Sequence, residues 1–313
     1  MGSRMRTIFY NERRLRAGWR LLIFAGMIWL VYMAAQTVTR RGGPSGGIPT
    51  YAGYSLPVLL ALGEMIPFLI VLLFSWIMSR IEHRAVGDYG LPLRRQAWGR
   101  FWSGYLFWGF VPLSILLLTM RALHVFSFGE LAIRGQQILV WGVLWLFVFL
   151  MVGFLEEFLF RGYALHTLAD GIGFWPAAIL MATVFARAHM GNGGETKLGI
   201  VATAFFALFA AATLRRTGDL WLAVGAHSGW DWAQSFFYGV PDSGLKTPGH
   251  LLNPQLSTTA PAWLSGGSVG PEGSVLTLIL WAAMFVVFLL VYRKKQKPAL
   301  FMTTAAEAPA QRA

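Results

Sequence analysis

Long apolar runs separated by short polar segments dominate the chain. A helix that crosses the hydrocarbon core of a bilayer needs about 20 apolar residues, because each residue adds about 1.5 Å along the axis. Eight runs approach that length: 21–38, 56–78, 101–120, 138–160, 174–190, 198–214, 220–238 and 275–292. Transmembrane strands would instead show about ten residues of alternating polarity. The pattern therefore predicts an all-α polytopic membrane bundle with about eight transmembrane helices.

Composition and charge agree with a membrane protein. Hydrophobic residues make up 56% of the chain and charged residues only 13%, which excludes a disordered protein and an ordinary soluble enzyme. The net charge is +12, and placing both termini in the cytosol puts 19 of the 26 basic residues on the inner side. The positive charge thus reflects membrane orientation, and we expect no nucleic-acid partner. The predicted location is the plasma (inner) membrane, with several passes and cytoplasmic termini.

The apolar runs and the composition between them divide the chain into five parts. These are an N-terminal scaffold with three spans (1–137), a core that carries the intramembrane ionisable residues (138–238), an external loop (239–274), a closing helix (275–292) and a basic disordered tail (293–313). The external loop is rich in Pro, Gly and Ser, a composition that buries little apolar surface and predicts weak order. The absence of cysteine excludes disulfides and cysteine nucleophiles.

A cluster of six ionisable residues lies in or next to the apolar runs of the core. They are Glu156, Glu157, Arg161, His189, His227 and Asp231. Each such group costs about 2.5–3.5 kcal/mol at mid-membrane unless it pairs or faces water inside the protein. We therefore expect these groups to converge on one internal polar cavity.

Spacing along the fourth run assigns different roles to its two adjacent glutamates. Glu157 and Arg161 are four residues apart and share a helix face, so they are predicted to form a structural ion pair. Glu156 is rotated by about 100° from Glu157 and is left free to face the cavity. It is the predicted general base.

The two histidines complete a hydrolytic set. His189 is predicted to help Glu156 to activate water, and His227 with Asp231 is predicted to stabilise an oxyanion, with Asp231 fixing the tautomer of His227. Glu156 reaches the depth of His189 only if the fourth helix continues through Arg161 to about residue 168. We therefore predict one long or tilted fourth helix.

Three motifs in this order resemble the CPBP family of intramembrane proteases, which comprises the type II CAAX prenyl endopeptidases and bacteriocin-immunity-type proteins similar to them. The motifs are Glu156-Glu157-Phe-Leu-Phe-Arg161, Phe185-Ala-Arg-Ala-His189 and His227-Ser-Gly-Trp-Asp231. The resemblance covers about residues 150–235. It implies an internal polar cavity, water activation by the first Glu and first His, and an oxyanion contact from the second His and its partner. That partner is Asp231 here, where the family more usually has Asn.

The resemblance leaves the metal open. Two histidines and a carboxylate can form a catalytic zinc site, and Glu156, His189 and His227 would supply those ligands. The chain has no His-Glu-x-x-His pair, and the family is described both as metallopeptidase and as metal-free glutamate-type. Zinc and no cofactor therefore both stand as alternatives.

The predicted function is an intramembrane endopeptidase that acts near the C-terminus or the membrane-proximal part of a protein. Its expected partners are membrane lipid and a protein or peptide substrate, prenylated if processing depends on the lipid. The alternatives are a proton-coupled transporter and a non-catalytic immunity or binding protein that keeps the motif for packing. Glu64, close to Pro57 and Pro67, is predicted to make a polar contact at a kink rather than to act in catalysis.

Overall fold

A computed structural model describes residues 9–11, 14–42, 53–257 and 259–293 of the chain. The described part is an all-α bundle, as predicted, with helices α1 (Ala17–Gly42), α2 (Ser55–Ile81), α3 (Arg95–Ser103), α4 (Val111–Ala122), α5 (Gln136–Arg161), α6 (Tyr163–Ile172), α7 (Phe174–Ala188), α8 (Lys197–Thr217), α9 (Trp221–Trp232), α10 (Ala262–Ser265) and α11 (Val275–Val291). Strands β1 (Tyr10–Asn11) and β2 (Arg14–Leu15) pair antiparallel, as do β3 (Phe126–Ser127) and β4 (Gln255–Leu256). The predicted disordered tail, beyond residue 293, lies outside the described residues.

Short irregular helices extend or follow several of these elements. They are π-helical at Gly104–Phe110 and Ala233–Phe237, and 3-10 helical at Val86–Tyr89, His189–Gly191 and Pro271–Gly273. Five helical stretches in the described chain are long and apolar enough to cross a bilayer: Ala17–Ala35, Ser55–Ile81, Arg95–Ala122, Gln136–Ile172 and Lys197–Thr217. Helix α11 is apolar but shorter, and α7 and α9 are shorter still. The protein is thus an integral membrane protein, while the count of eight spans stays a prediction.

The fourth predicted span is not one continuous helix. Its residues are helical as far as Ile172, but α5 ends at Arg161 and α6 begins at Tyr163. Between them, Gly162 has φ −76° and ψ −124°, which takes the backbone out of the helix. A Cβ at this position would collide with the carbonyl oxygen of Phe158, so the break requires glycine. The prediction of an unbroken helix through Arg161 is therefore wrong at this residue.

Helix α9 lies at the centre of the bundle. Gly225 and Gly229 are one turn apart on the same face, and a Cβ on either would collide with the backbone of Phe101 or Tyr105. Small residues at this spacing let two helix backbones approach closely, as in other membrane bundles. The contact fixes the position of His227, which lies between the two glycines in the sequence.

The segment between α9 and α11 is ordered, contrary to the expectation from its composition. Val240 and Val269 are buried. The Nε2 group of Gln234 donates to the carbonyl of Pro241 at 2.7 Å, and the Thr247 hydroxyl donates to the carbonyl of Ser235 at 2.9 Å. Side-chain hydrogen bonds to backbone carbonyls just after α9 and in the segment thus hold this part of the chain in place, although it is poor in apolar residues. This segment closes one side of the cavity described below.

Candidate active site

An internal cavity of about 420 Å³ lies between α2, α5, α7, α8, α9, α11 and the segment that joins α9 to α11. All four residues that the sequence predicts as catalytic line it: Glu156, His189, His227 and Asp231. They come from three helical regions that are far apart in the sequence. The structure therefore brings together the groups that the membrane-cost argument requires to converge.

Glu156 faces both imidazole rings. Its Oε2 lies 3.9 Å from Nε2 of His189 and 3.7 Å from Nε2 of His227. These distances are too long for direct hydrogen bonds, and they are short enough for one water molecule beside the groups to bond to both. No donor among the described residues bonds to Oε2. The Glu156 side chain as a whole is 26% exposed and lines the cavity, although Oε2 itself is buried.

Glu157 is held entirely by the protein. Its side chain is 0% exposed, and Oε1 accepts a hydrogen bond from Nη1 of Arg161 at 3.1 Å. The same oxygen lies 2.9 Å from Nδ1 of His227. The Arg161 guanidinium also stacks over the ring of Phe185, 4.2 Å from its centroid. Glu157 therefore makes the predicted ion pair and, in addition, orients His227.

Hydrogen bonds at the Nδ1 atoms fix how the two rings present Nε2. Nδ1 of His189 lies 2.9 Å from the carbonyl oxygen of Phe185, which can only accept, so Nδ1 carries the proton. In the neutral ring, Nε2 of His189 then offers a lone pair to the cavity. Nδ1 of His227 likewise donates to the Glu157 carboxylate. Glu157, and not Asp231 as predicted, sets this tautomer, because Asp231 lies on the Nε2 side with Oδ2 at 3.6 Å.

Three further carboxylates line the cavity and were not predicted as site residues. Glu64 of α2 is half-buried and makes no hydrogen bond within the described chain, so the predicted contact at a proline kink is not found. The sequence could have indicated a site role for Glu64, because it is the single acidic residue in α1–α4. Asp242 and Glu272 come from the segment that joins α9 to α11. They gave no signal, because a polar loop carries no membrane cost that would mark them.

The surroundings of the two loop carboxylates hold their pKa values high. Burial and the nearby charge of Asp231 raise the pKa of Asp242 well above its usual range. Burial and the charge of Asp242 raise the pKa of Glu272 to about 8. Hydrogen bonds from Ser235 and Ser243 act in the opposite direction without cancelling these effects. The loop carboxylates thus lie in a field of negative charge.

The donor arrangement does not match a metal site. Zinc binds imidazole nitrogen and carboxylate oxygen at about 2.0–2.2 Å. Within the described residues, no group of three or more His, Asp or Glu side chains is arranged to hold a metal ion. No catalytic step is therefore assigned to a metal here, and zinc at Glu156, His189 and His227 stays a prediction for metal analysis to decide.

Comparison with known families agrees with the motifs. Residues 138–233, just under a third of the chain, match the family model described as type II CAAX prenyl endopeptidase Rce1-like. This domain belongs to the CPBP family. The match runs from the start of α5 to the end of α9, so it includes every residue of the three motifs. Neither the curated proteins nor the solved structures include a match to the chain. At the level of the family, the Rce1-like domain is that of an intramembrane endopeptidase.

Proposed function

We propose that the protein is an intramembrane endopeptidase in which Glu156 and His189 activate a water molecule. The water lies between Oε2 of Glu156 and Nε2 of His189, and Glu156 takes its proton. The hydroxide attacks the carbonyl carbon of the scissile peptide bond. Glu156 then returns the proton to the leaving amine, so that the carboxylate is regenerated as the C–N bond breaks.

One observation carries this proposal: the two adjacent glutamates differ in their partners. Glu157 is committed to Arg161 and His227, whereas Glu156 has no hydrogen-bonded partner among the described residues and lies between two imidazoles. A base must be free to accept a proton, and Glu156 is free to do so. The neutral Nε2 of His189 is in place to accept the second hydrogen of the same water.

The oxyanion contact is assigned to His227. Because its Nδ1–H is used by Glu157, Nε2 can donate to an oxyanion only when the ring is an imidazolium. The carboxylates of Glu157 and Asp231, one at each ring nitrogen, favour that positive charge. Asp231 therefore acts through His227, since a carboxylate cannot itself donate a hydrogen bond to an oxyanion.

The proposed substrate is the C-terminal or membrane-proximal part of another protein. If the substrate is prenylated, its lipid would lie in the bilayer-facing part of the cavity, against apolar lining residues such as Phe160 and Phe185. We also propose a plasma-membrane location with cytoplasmic termini, and the distribution of basic residues supports the orientation of the termini. The water-filled site would then act on segments that reach it from within the bilayer.

The test uses the full-length protein in lipid nanodiscs and a quenched fluorescent peptide that ends in a farnesylated Cys-a-a-X sequence, with an unfarnesylated copy beside it. Cleavage is followed by fluorescence and mapped by mass spectrometry. Glu156→Gln should reduce the rate by about 10²–10⁴-fold, the range for loss of a general base. Glu130→Gln is the matched control, because Glu130 is exposed and lies outside the cavity.

Three outcomes would overturn the proposal. Full cleavage by Glu156→Gln removes the assigned base. Proton flux in proteoliposomes, with no peptide cleavage by the unmodified protein, indicates the transporter alternative. Unchanged protection of cells against a bacteriocin by Glu156→Gln, again with no cleavage, indicates an immunity protein.

A further inference from the structure

Carboxyl side chains dominate the polar lining of the cavity. Five carboxylates line it, and within the described residues no Lys or Arg does so. The chain as a whole carries a net charge of +12, so this concentration of acid is local. The proposed hydrolysis uses Glu156 and Asp231. It assigns no part to the loop carboxylates Asp242 and Glu272.

Each loop carboxylate is held through one oxygen and leaves the other free. The Ser235 hydroxyl donates to Oδ2 of Asp242 at 2.9 Å, and the backbone N–H of Ser243 donates to Oε2 of Glu272 at 2.9 Å. Oδ1 of Asp242 and Oε1 of Glu272 accept no hydrogen bond from the described part of the chain. The two side chains are therefore fixed in place, with acceptor capacity to spare.

Asp231 is an independent sign that a donor is missing. It lines the cavity and is only 6% exposed, yet no described residue donates a hydrogen bond to its carboxylate. Its ion-pair contact with Nε2 of His227, at 3.6 Å, is longer than a hydrogen bond. A buried carboxylate without a donor is costly. Its position in the cavity wall therefore leaves the carboxylate open to a donor from the cavity, either water or a cation that a ligand brings in to replace it.

The arrangement of the carboxylates suits an organic cation better than a metal ion. Within the described residues these acids form no group arranged to hold a metal. A guanidinium carries five N–H donors in a planar fork, and an ammonium carries three on a flexible stem, so either can reach acceptors that do not converge on a point. Trp230 and Trp281, whose ring centroids are 4.8 Å apart, also line the cavity. Their buried rings give the cavity an apolar wall that suits the aliphatic stem of a long basic side chain.

We propose that Asp231, Asp242 and Glu272 form a subsite for a basic side chain, Arg or Lys, of the peptide substrate. This inference rests on the proposed function and narrows its substrate class to segments with a basic residue close to the scissile bond. The subsite places positive charge beside the carboxylates, and it disfavours an acidic residue at the same position. The preference comes from the loop between α9 and α11, most of which lies outside the Rce1-like match at residues 138–233.

The experiment compares arginine with citrulline, which has the same shape but no charge. The quenched farnesylated peptide is prepared with Arg or citrulline at each position in turn around the scissile bond, and kcat/KM is measured in nanodiscs. At one position, and in assays above pH 8 where Glu272 is charged, the unmodified protein should prefer Arg by about tenfold or more, the ratio expected for hydrogen bonds to a charged group. Lys at that position should also be preferred over its neutral counterpart, acetyl-lysine.

Variants then assign the preference to the loop. Asp242→Asn and Glu272→Gln should each lower the Arg-to-citrulline ratio towards one, whereas Glu130→Gln should leave it unchanged. Equal rates for Arg and citrulline at every position, with the parent peptide still cleaved, overturn the subsite and leave the proposed function standing. A preference that survives both loop substitutions overturns the assignment to these residues. Failure of the unmodified protein to cleave any peptide overturns the proposed function itself.

Discussion

Two adjacent glutamates should give opposite results when each is changed to glutamine. Glu157 is fully buried and shared between Arg161 and His227, whereas Glu156 is partly exposed to the cavity. Glutamine matches glutamate in size, so each substitution removes a charge without opening a cavity. We expect Glu157→Gln to reduce mainly stability and Glu156→Gln to reduce mainly turnover.

The expected change in the free energy of unfolding depends on which charges remain after each carboxylate is replaced. Without the charge of Glu157, the guanidinium of Arg161, whose side chain is 2% exposed, has lost its counter-ion. Breaking a buried pair in this way costs about 3–5 kcal/mol, because the remaining charge is buried and uncompensated. Glu156 has like-charged neighbours in the cavity, so its neutralisation also relieves repulsion. Its effect on the free energy of unfolding should be about 1 kcal/mol at most.

The assay measures unfolding and cleavage on the same samples. Thermal and denaturant unfolding in detergent give the change in stability, and the farnesylated peptide gives the rate. Adding Arg161→Met to Glu157→Gln should restore part of the lost stability, because the double variant no longer buries an unpaired charge. It should not restore cleavage, because the glutamine amide oxygen can still accept from Nδ1 of His227 but brings no negative charge to favour the imidazolium form of that ring.

An exchange of behaviour between the two glutamates would contradict the roles assigned to them. A Glu156→Gln protein that unfolds several kcal/mol more easily, beside a stable Glu157→Gln protein that still cleaves, would mean that Glu156 supports the fold. A double variant less stable than Glu157→Gln alone would show that Arg161 is not left unpaired by that change. Either result contradicts the contacts described above.

Three other expectations can be checked with the same protein. Gly229→Ala should lower the free energy of unfolding by about 1–3 kcal/mol, because the added Cβ would meet the carbonyl oxygen of Tyr105. Gly63→Ala is the control and should be neutral, because no atom lies near its added Cβ. Equal unfolding midpoints for the two variants would contradict the close approach of α9. The Arg-to-citrulline ratio should be small well below pH 8 and should rise above it, because Glu272, raised to a pKa of about 8, gains its charge there. The charges of Asp242, Glu195 and His227 act on the same group, and a ratio that stays flat or falls with pH would contradict the effect. Removal of metal with 1,10-phenanthroline should leave the cleavage rate unchanged. A loss of cleavage that added Zn²⁺ reverses would instead support a catalytic zinc ion.

Apolar length was sufficient to predict the bundle and most of its helix limits. The second run, expected at 56–78, forms α2 at Ser55–Ile81, and the last, expected at 275–292, forms α11 at Val275–Val291. Such runs are unambiguous, because nothing in them favours another structure in lipid. The break at Gly162 was not predicted, since a single glycine inside an apolar run is compatible with an unbroken helix until the neighbouring turn is known.

The cavity was predicted from the intramembrane groups of the core, whereas its lining by Glu64 of α2 and by the two loop carboxylates was missed. The membrane cost of Glu156, His189 and His227 required a shared polar space, and the i, i+4 spacing separated the roles of the two glutamates. Asp242 and Glu272 could not be predicted in this way, because a carboxylate in a polar loop carries no membrane cost and its place at the cavity depends on how the loop folds. Hydrogen bonds such as that from Ser235 to Asp242, which create this arrangement, leave no periodicity in the sequence.

Carboxylates without a basic partner need water around them inside a bilayer. Buried arginines in the bundle are neutralised directly, Arg161 by Glu157 and Arg20 by Glu82. The acids that line the cavity have no such partner and can remain there only if the cavity holds water, which is also the reagent of hydrolysis. A proton relay would need the same water, but it would also need elements that alternate between two arrangements. Here the Nδ1 atoms of both histidines are held by fixed acceptors, the Phe185 carbonyl and Glu157. Both rings therefore keep Nε2 directed at Glu156, a fixed geometry that suits one repeated reaction rather than alternating access.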